Sequence, residues 1–469
     1  MQNSRLWQVF EKLSLKDLRE LEKVVQSPWF NQRPYVANLF EYLRNSAQLD
    51  SEAPFKEVAF KAVFPKKKFD DHLMRNAMSL LLQTIERYIS IRDFFADPFR
   101  PQLELGKAYR RMNLEKHYWQ TIHKAEKIVS DQNDRNADHF NYTYQLESEK
   151  YQWLSAQRRM ASLNLQEISD NLDLSYITQK LRQTCFSISH QAVYPQQYNF
   201  GLLDKTLELL KTGTYLDTPA VAVYYYCYLA LTSEESETSF RKFKSLLIQH
   251  GSIFPLLEQR DLYLLATNYC IKKMNAGQEE YAAEGLEIYK EALDRGALYV
   301  EGRLSRFTFF NIVTKSLVCE DYAWAEQFIQ EYQKYLSEKY RESTASYSLA
   351  RLEYHRGNHD SALQLLQKAD YEDLLQNLQA KAIMAKIFYE GGDWEVLHSH
   401  LDAMQQFIRR KKVIGYHQDL FVNFIQVLRR VIETPEFETE ARNNIAQFLQ
   451  SAAAIAEKKW LQGVLGITA

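Results

Sequence analysis

Residues that interrupt regular structure are scarce in this chain. Only 14 glycines and 10 prolines punctuate 469 residues, too few turn formers for an all-β or α/β protein of that length. What remains is long helices joined by short turns. Cysteine is scarcer still: Cys185, Cys227, Cys270 and Cys319 lie far apart with no CxxC pair, a pattern that excludes a disulfide framework and the usual zinc spacings. A reducing, cytoplasmic location is the expectation. No apolar run reaches spanning length, and the opening MQNSRLWQVFEKLSLKDLRELEKVV alternates charged and apolar residues at helical spacing, unlike a signal peptide. No membrane partner is expected. Charge of one sign is also missing, since a formal net charge of -2 gives no global argument for nucleic acid or a strongly charged substrate. The chain further lacks a glycine-rich phosphate loop, an HExxH and a GxSxG element, so neither an enzyme activity nor a cofactor is expected.

What is present is helical. Apolar residues make up 46% of the chain and charged residues 25%, ordinary for a protein with a substantial core. The length exceeds that of one hydrophobic core, so the chain is multidomain or built from stacked units. Residues 1–95 read as an N-terminal helical bundle. Ser14 with Asp17 starts a helix that Ser27 and Pro28 end. Pro34 begins another, with Leu39, Phe40 and Leu43 on its face. Phe55, Val58, Ala59 and Val63 form a third face stopped by Pro65. A long helix from about Phe69 to Phe94 then presents Leu73, Ala77, Leu80, Leu81, Thr84, Ile85 and Tyr88 as a buried stripe. Asp97, Pro98 and Pro101 mark the boundary.

Residues 96–469 read as helix pairs closed by capping helices. Leu105, Gly106 and Tyr109, followed by Tyr118, Ile122 and Ala125, have the small-residue and aromatic spacing of a helical hairpin. Pro195, Pro219 and Pro255 lie at or near helix ends. One helix is expected to begin at about 302. The clearest organisation is a repeat of about 35 residues near the C-terminal end. Leu349 and Ala350 precede Gly357 and Asn358, then Ala362, Leu366 and Ala369 follow. The pattern returns as Met384, Ala385, Phe388 and Tyr389, then Gly391 and Gly392, then Trp394, Leu397, Leu401 and Met404. In the last segment Ala452, Ala453, Ala454 and Ala456 favour a helix, Glu457, Lys458 and Lys459 suit a polar outer face, and 463–469 read as frayed.

On these residues the chain resembles the tetratricopeptide repeat family, through Leu349, Ala350, Gly357, Ala362, Leu366 and Ala369, and again through Ala385, Gly392, Asp393 and Trp394. Leu397 and Met404 stand where that family usually has alanine. The resemblance implies an all-α fold in which a right-handed superhelical stack of hairpins follows the N-terminal bundle. It also implies a scaffold or regulator whose concave face binds a protein or peptide. A bundle ahead of the repeats is similar to the layout of bacterial peptide-regulated repeat proteins.

Several residues are candidates for a site. Tyr224, Tyr225 and Tyr228, in the run Tyr224 to Tyr228, could present large amphipathic contacts to a partner or pack between helices. Lys66, Lys67 and Lys68 sit in a turn between two helices, with Arg75 on the second. That is where a helix-turn-helix reader would place phosphate contacts, although Asp70 and Asp71 offset the charge. They carry the alternative reading, a nucleic-acid-binding or transcription-associated regulator. Arg409, Arg410, Lys411 and Lys412 end a helix, where cations complement its dipole. His355 with His359 has metal-like spacing, but Gly357 interrupts the helix and no third ligand is near. No metal is expected.

Overall fold

A computed structural model describes residues 1, 3–48, 55–157, 163–192, 194, 196–368, 373–410, 416–435, 437–451 and 454–467. Pro195, Ala369, Lys411, Lys412, Ala452 and Ala453 therefore lie outside the described residues. Among the described residues the chain is all-α, with 23 helices and one short hairpin. None of those helices is long and apolar enough to cross a membrane. The four cysteines are free thiols. The chain divides into two compact units, 1–176 and 177–469.

The first unit begins with α1 (Arg5–Phe10), α2 (Leu15–Gln26), α3 (Pro34–Gln48), α4 (Lys56–Val63) and α5 (Asp71–Ala96). Ser14 and Asp17 form a reciprocal capping box at the start of α2, which satisfies backbone N–H groups that the first turn leaves open. Asp17 also accepts from Tyr88 at 3.1 Å and Arg92 at 2.9 Å on α5. Hydrogen bonds from Ser14, then from Arg92, hold its carboxyl well below the usual carboxylate range. Leu21, Leu39, Leu43, Leu81 and Ile85 are completely buried in one core, each worth roughly 1.5–3 kcal/mol relative to exposure. The face expected on α4 is rotated. Phe55 and Val58 are exposed, and Phe60 joins Ala59 and Val63 inside, because Phe55 sits at the helix cap rather than in its first turn.

The unit continues through α6 (Phe99–Arg111), α7 (Glu115–Asp131), α8 (Ala137–Gln157) and α9 (Leu165–Gln191), the last of which carries the junction between the units. Gly106 lets α6 and α7 approach: a Cβ there would stand 3.0 Å from Ile122. Tyr118 stacks on Trp153 with ring centres 4.2 Å apart.

In the second unit α10 (Leu203–Lys211) leads into consecutive helices packed in neighbouring pairs. These are α11 (Pro219–Thr232) with α12 (Ser236–His250), α13 (Leu256–Asn275) with α14 (Tyr281–Asp294), and α15 (Arg306–Val318) with α16 (Tyr322–Tyr332). Next come α17 (Glu338–His355) with α18 (His359–Lys368), and α19 (Leu374–Gly391) with α20 (Trp394–Arg410). The start expected at 302 is corrected. Glu301 and Gly302 both have positive φ and turn a hairpin of β1 (Tyr299–Val300) and β2 (Arg303–Leu304), so α15 begins only at Arg306.

The repeat explains how the last two pairs close. Ala350, Ala362, Ala385, Leu397, Leu401 and Met404 are completely buried, and Gly357 and Gly392 both take the left-handed conformation that ends a helix. Three helices follow: α21 (Tyr416–Glu433), α22 (Thr439–Ser451) and α23 (Lys458–Val464). Residues 463–467 are not frayed: Leu461 is completely buried, and the Ile467 N–H donates to Gln462 O at 3.0 Å. This arrangement is compatible with a helical-repeat fold.

Candidate functional site

A concavity in the second unit lies along α15, α17 and α19, the first helices of three successive hairpins. Its volume is about 440 Å³, within the range of small-ligand and side-chain pockets. A stripe on each helix supplies its wall. On α17 the spacing of Tyr347, Arg351 and Tyr354 places all three on one face. On α15 Phe307, Phe310 and Thr314 face the same space, and on α19 Gln379, Ile383 and Lys386 do so.

Aromatic contacts set the floor. Phe310 meets Tyr347 edge to face with ring centres 5.6 Å apart. Burial pushes the Tyr347 hydroxyl up to about 12, so it stays protonated at neutral pH. Arg351 lies over the Tyr347 ring at 5.8 Å, and its Nη1–H donates to Thr314 Oγ1 at 2.8 Å. The Thr314 hydroxyl in turn donates to Phe310 O at 2.7 Å, which turns a lone pair toward the guanidinium.

Ion pairs close both ends. At one end Arg306 meets Asp373 at 2.8 Å and stacks over Tyr340 at 4.5 Å. At the other, buried Lys386 meets Glu457 at 2.8 Å and lies 4.5 Å from the Tyr354 ring centre. Glu457 comes from just ahead of α23, so the terminal segment supplies part of the wall. It does not present Glu457 as one residue of a uniformly polar outer face, as the sequence suggested. Glu390 braces the same end, accepting from Tyr354 Oη at 2.6 Å and Trp460 Nε1 at 2.6 Å.

His355 sits on this wall beside Arg351. It is exposed at the surface, yet partial loss of hydration, reinforced by Arg351 and Lys386, pushes the imidazole down to about 4. His359 stands across the turn at Gly357, 3.4 Å from Glu390 and stacked on Tyr354. Among the described residues no group of three His, Cys, Asp or Glu side chains is arranged to hold a metal.

The tyrosine run lies elsewhere. Tyr224 is completely buried in α11, donates its hydroxyl to Glu258 at 2.7 Å, and meets Phe254 edge to face. Tyr225 is buried as well, while Tyr228 is half-buried. The structure thus puts Tyr224 and Tyr225 into packing between helices and brings none of the three to the cleft. Lys66, Lys67 and Lys68 are exposed in the turn between α4 and α5, with Lys67 5.7 Å from the Phe64 ring centre. Arg75 is exposed and paired with Asp71 at 2.7 Å.

Sequence reasoning passed over Arg306, Arg351 and Lys386. The Tyr347, Arg351, Tyr354 stripe was the available signal, because a cation between two tyrosines on one helix face is an unusual core-facing pattern. No family model, curated protein or solved structure matches the chain, so the site rests on its own geometry.

Proposed function

We propose that the chain is a non-enzymatic cytoplasmic scaffold or regulator that receives a segment of a protein partner in the cleft along α15, α17 and α19. On this reading the hairpins are tetratricopeptide-like and stack with a right-handed superhelical turn. One observation carries it: three successive first helices direct aromatic and cationic side chains into one shared concavity. Such a surface combines apolar area with oriented polar groups, as partner-binding grooves do. Phe307, exposed at the rim, offers a handle that does not disturb the core.

Affinity capture from the organism's own extract, compared between the unaltered chain and Phe307→Glu, tests the reading. At least one protein should be depleted roughly tenfold by the substitution, a loss of about 1.4 kcal/mol in binding. Recovery of the same proteins in the same amounts would reject it. The alternative, nucleic-acid contact by the N-terminal bundle, draws support from the exposure of Lys66, Lys67 and Lys68 together. It requires a salt-dependent mobility shift that disappears when the three are neutralised; no shift at low salt rejects it.

A further inference from the structure

Among the described residues the cleft is lined by three cations, and two of them have a counter-ion. Arg306 is matched by Asp373 and Lys386 by Glu457, both at 2.8 Å. Arg351 lies between these pairs. Among the described residues its contacts are the Thr314 hydroxyl and the Tyr347 ring, and no carboxylate reaches it. The neighbouring His355 is exposed, and partial loss of hydration, with the cations Arg351 and Lys386, pushes it toward its neutral form. A guanidinium half removed from water, held in one orientation by a hydroxyl and an aromatic face, still has N–H donors to satisfy. A planar anion would complete its fork with charge-assisted hydrogen bonds.

The charge of the missing group follows from its surroundings. Asp373 and Glu457 line the same cleft, and each is matched by a single cation. One negative charge would match the remaining cation among the described lining residues, whereas a dianion would meet repulsion from Asp373, Glu457 and the nearby Glu390. The shape of the group's body follows from the walls, because Phe307, Phe310 and Tyr347 give apolar and aromatic surface beside Arg351. We infer that the partner segment is anchored by a carboxylate next to an apolar or aromatic body, with Arg351 as the cation that receives it. This rests on the cleft being the partner site.

Fluorine NMR of 4-fluorophenylacetate, 4-fluorophenylacetamide and 4-fluorophenyl phosphate against the full chain tests the inference. The carboxylate should broaden saturably, and the amide and the phosphate should each bind at least about tenfold more weakly. Broadening should vanish with Arg351→Met, persist with Arg351→Lys at reduced strength, and survive Arg303→Met on the exposed hairpin. Thr314→Val, which removes only the hydroxyl orienting Arg351, should weaken the carboxylate several-fold and guards against misfolding of the arginine variant. Equal binding of acid and amide, tighter binding of the phosphate, or unchanged broadening in Arg351→Met would overturn it. Failure of the parent reading looks different. If the carboxylate binds but capture is insensitive to Phe307→Glu, the partner site falls; if capture is lost with Phe307→Glu and retained with Arg351→Met, only the carboxylate anchor falls.

Discussion

Helices α11 and α17 both carry tyrosines, yet they use them differently. On α11 the aromatics run almost consecutively, so they point all round the helix; Tyr224 and Tyr225 are buried, Tyr226 and Tyr228 are half-buried, and Tyr224 ends with its hydroxyl on Glu258 and no exposed surface. On α17 Tyr347 and Tyr354 lie a helical repeat apart with Arg351 between them, and they stand on the one face that looks into the cleft. Tyr224 and Tyr225 of the dense cluster are given to packing, whereas on the sparse stripe Tyr347 is buried and Arg351 and Tyr354 border open space. Density of aromatic residues therefore measures packing here, while spacing and an interposed charge point to a binding face.

The largest test of this contrast is Tyr224→Ala. Loss of a fully buried ring and its hydrogen bond should cost about 3–5 kcal/mol, read as a lower thermal midpoint. A shift of only a degree or two would mean that α11 is not the packed element described. Next comes Glu457→Gln, which leaves the buried Lys386 ammonium without its carboxylate. Because the Glu457 side chain is 36% exposed, water screens part of the loss, and about 1–2 kcal/mol is expected by chemical denaturation. No change would detach the terminal segment from the cleft wall.

Smaller still is Phe307→Ala. At 63% exposure it should alter stability by less than about 0.5 kcal/mol while weakening partner capture. A large drop in thermal midpoint would make Phe307 a packing residue like Tyr224 and erase the contrast. The smallest expected effect is on pH. Protonated His355 would add positive charge beside Arg351, but with its pKa held near 4 that charge appears only well below pH 5. Partner capture should therefore change less than about twofold between pH 7.5 and 5.5. A rise centred near pH 6.5 would show that His355 titrates as an ordinary histidine.

Much of the fold was legible because its signals are local. Ser14 and Asp17 form their box within one turn, Gly357 and Gly392 stop helices where the chain must turn left-handed, and Ala350, Ala362 and Ala385 bury at the close approaches their size allows. Misreadings arose where a local pattern competed with a neighbour. The start at 302 failed because Glu301 and Gly302 turn a hairpin, and α4 rotated once Phe55 became its cap. The candidate site was largely illegible for a different reason. Its cleft joins α15, α17 and α19 to Glu457, and the Lys386–Glu457 pair spans 71 positions, a separation at which no helical period carries information. Arg351 was visible only as a charge on an aromatic stripe.

The central claim is that partners meet the cleft and not the tyrosine run. Placing a benzophenone-bearing amino acid at Phe307 or at Tyr228, irradiating in native extract, and mapping the adducts by mass spectrometry compares the two directly. The account predicts partner adducts at position 307 and none above background at 228. Adducts of equal or greater yield at 228 would contradict it.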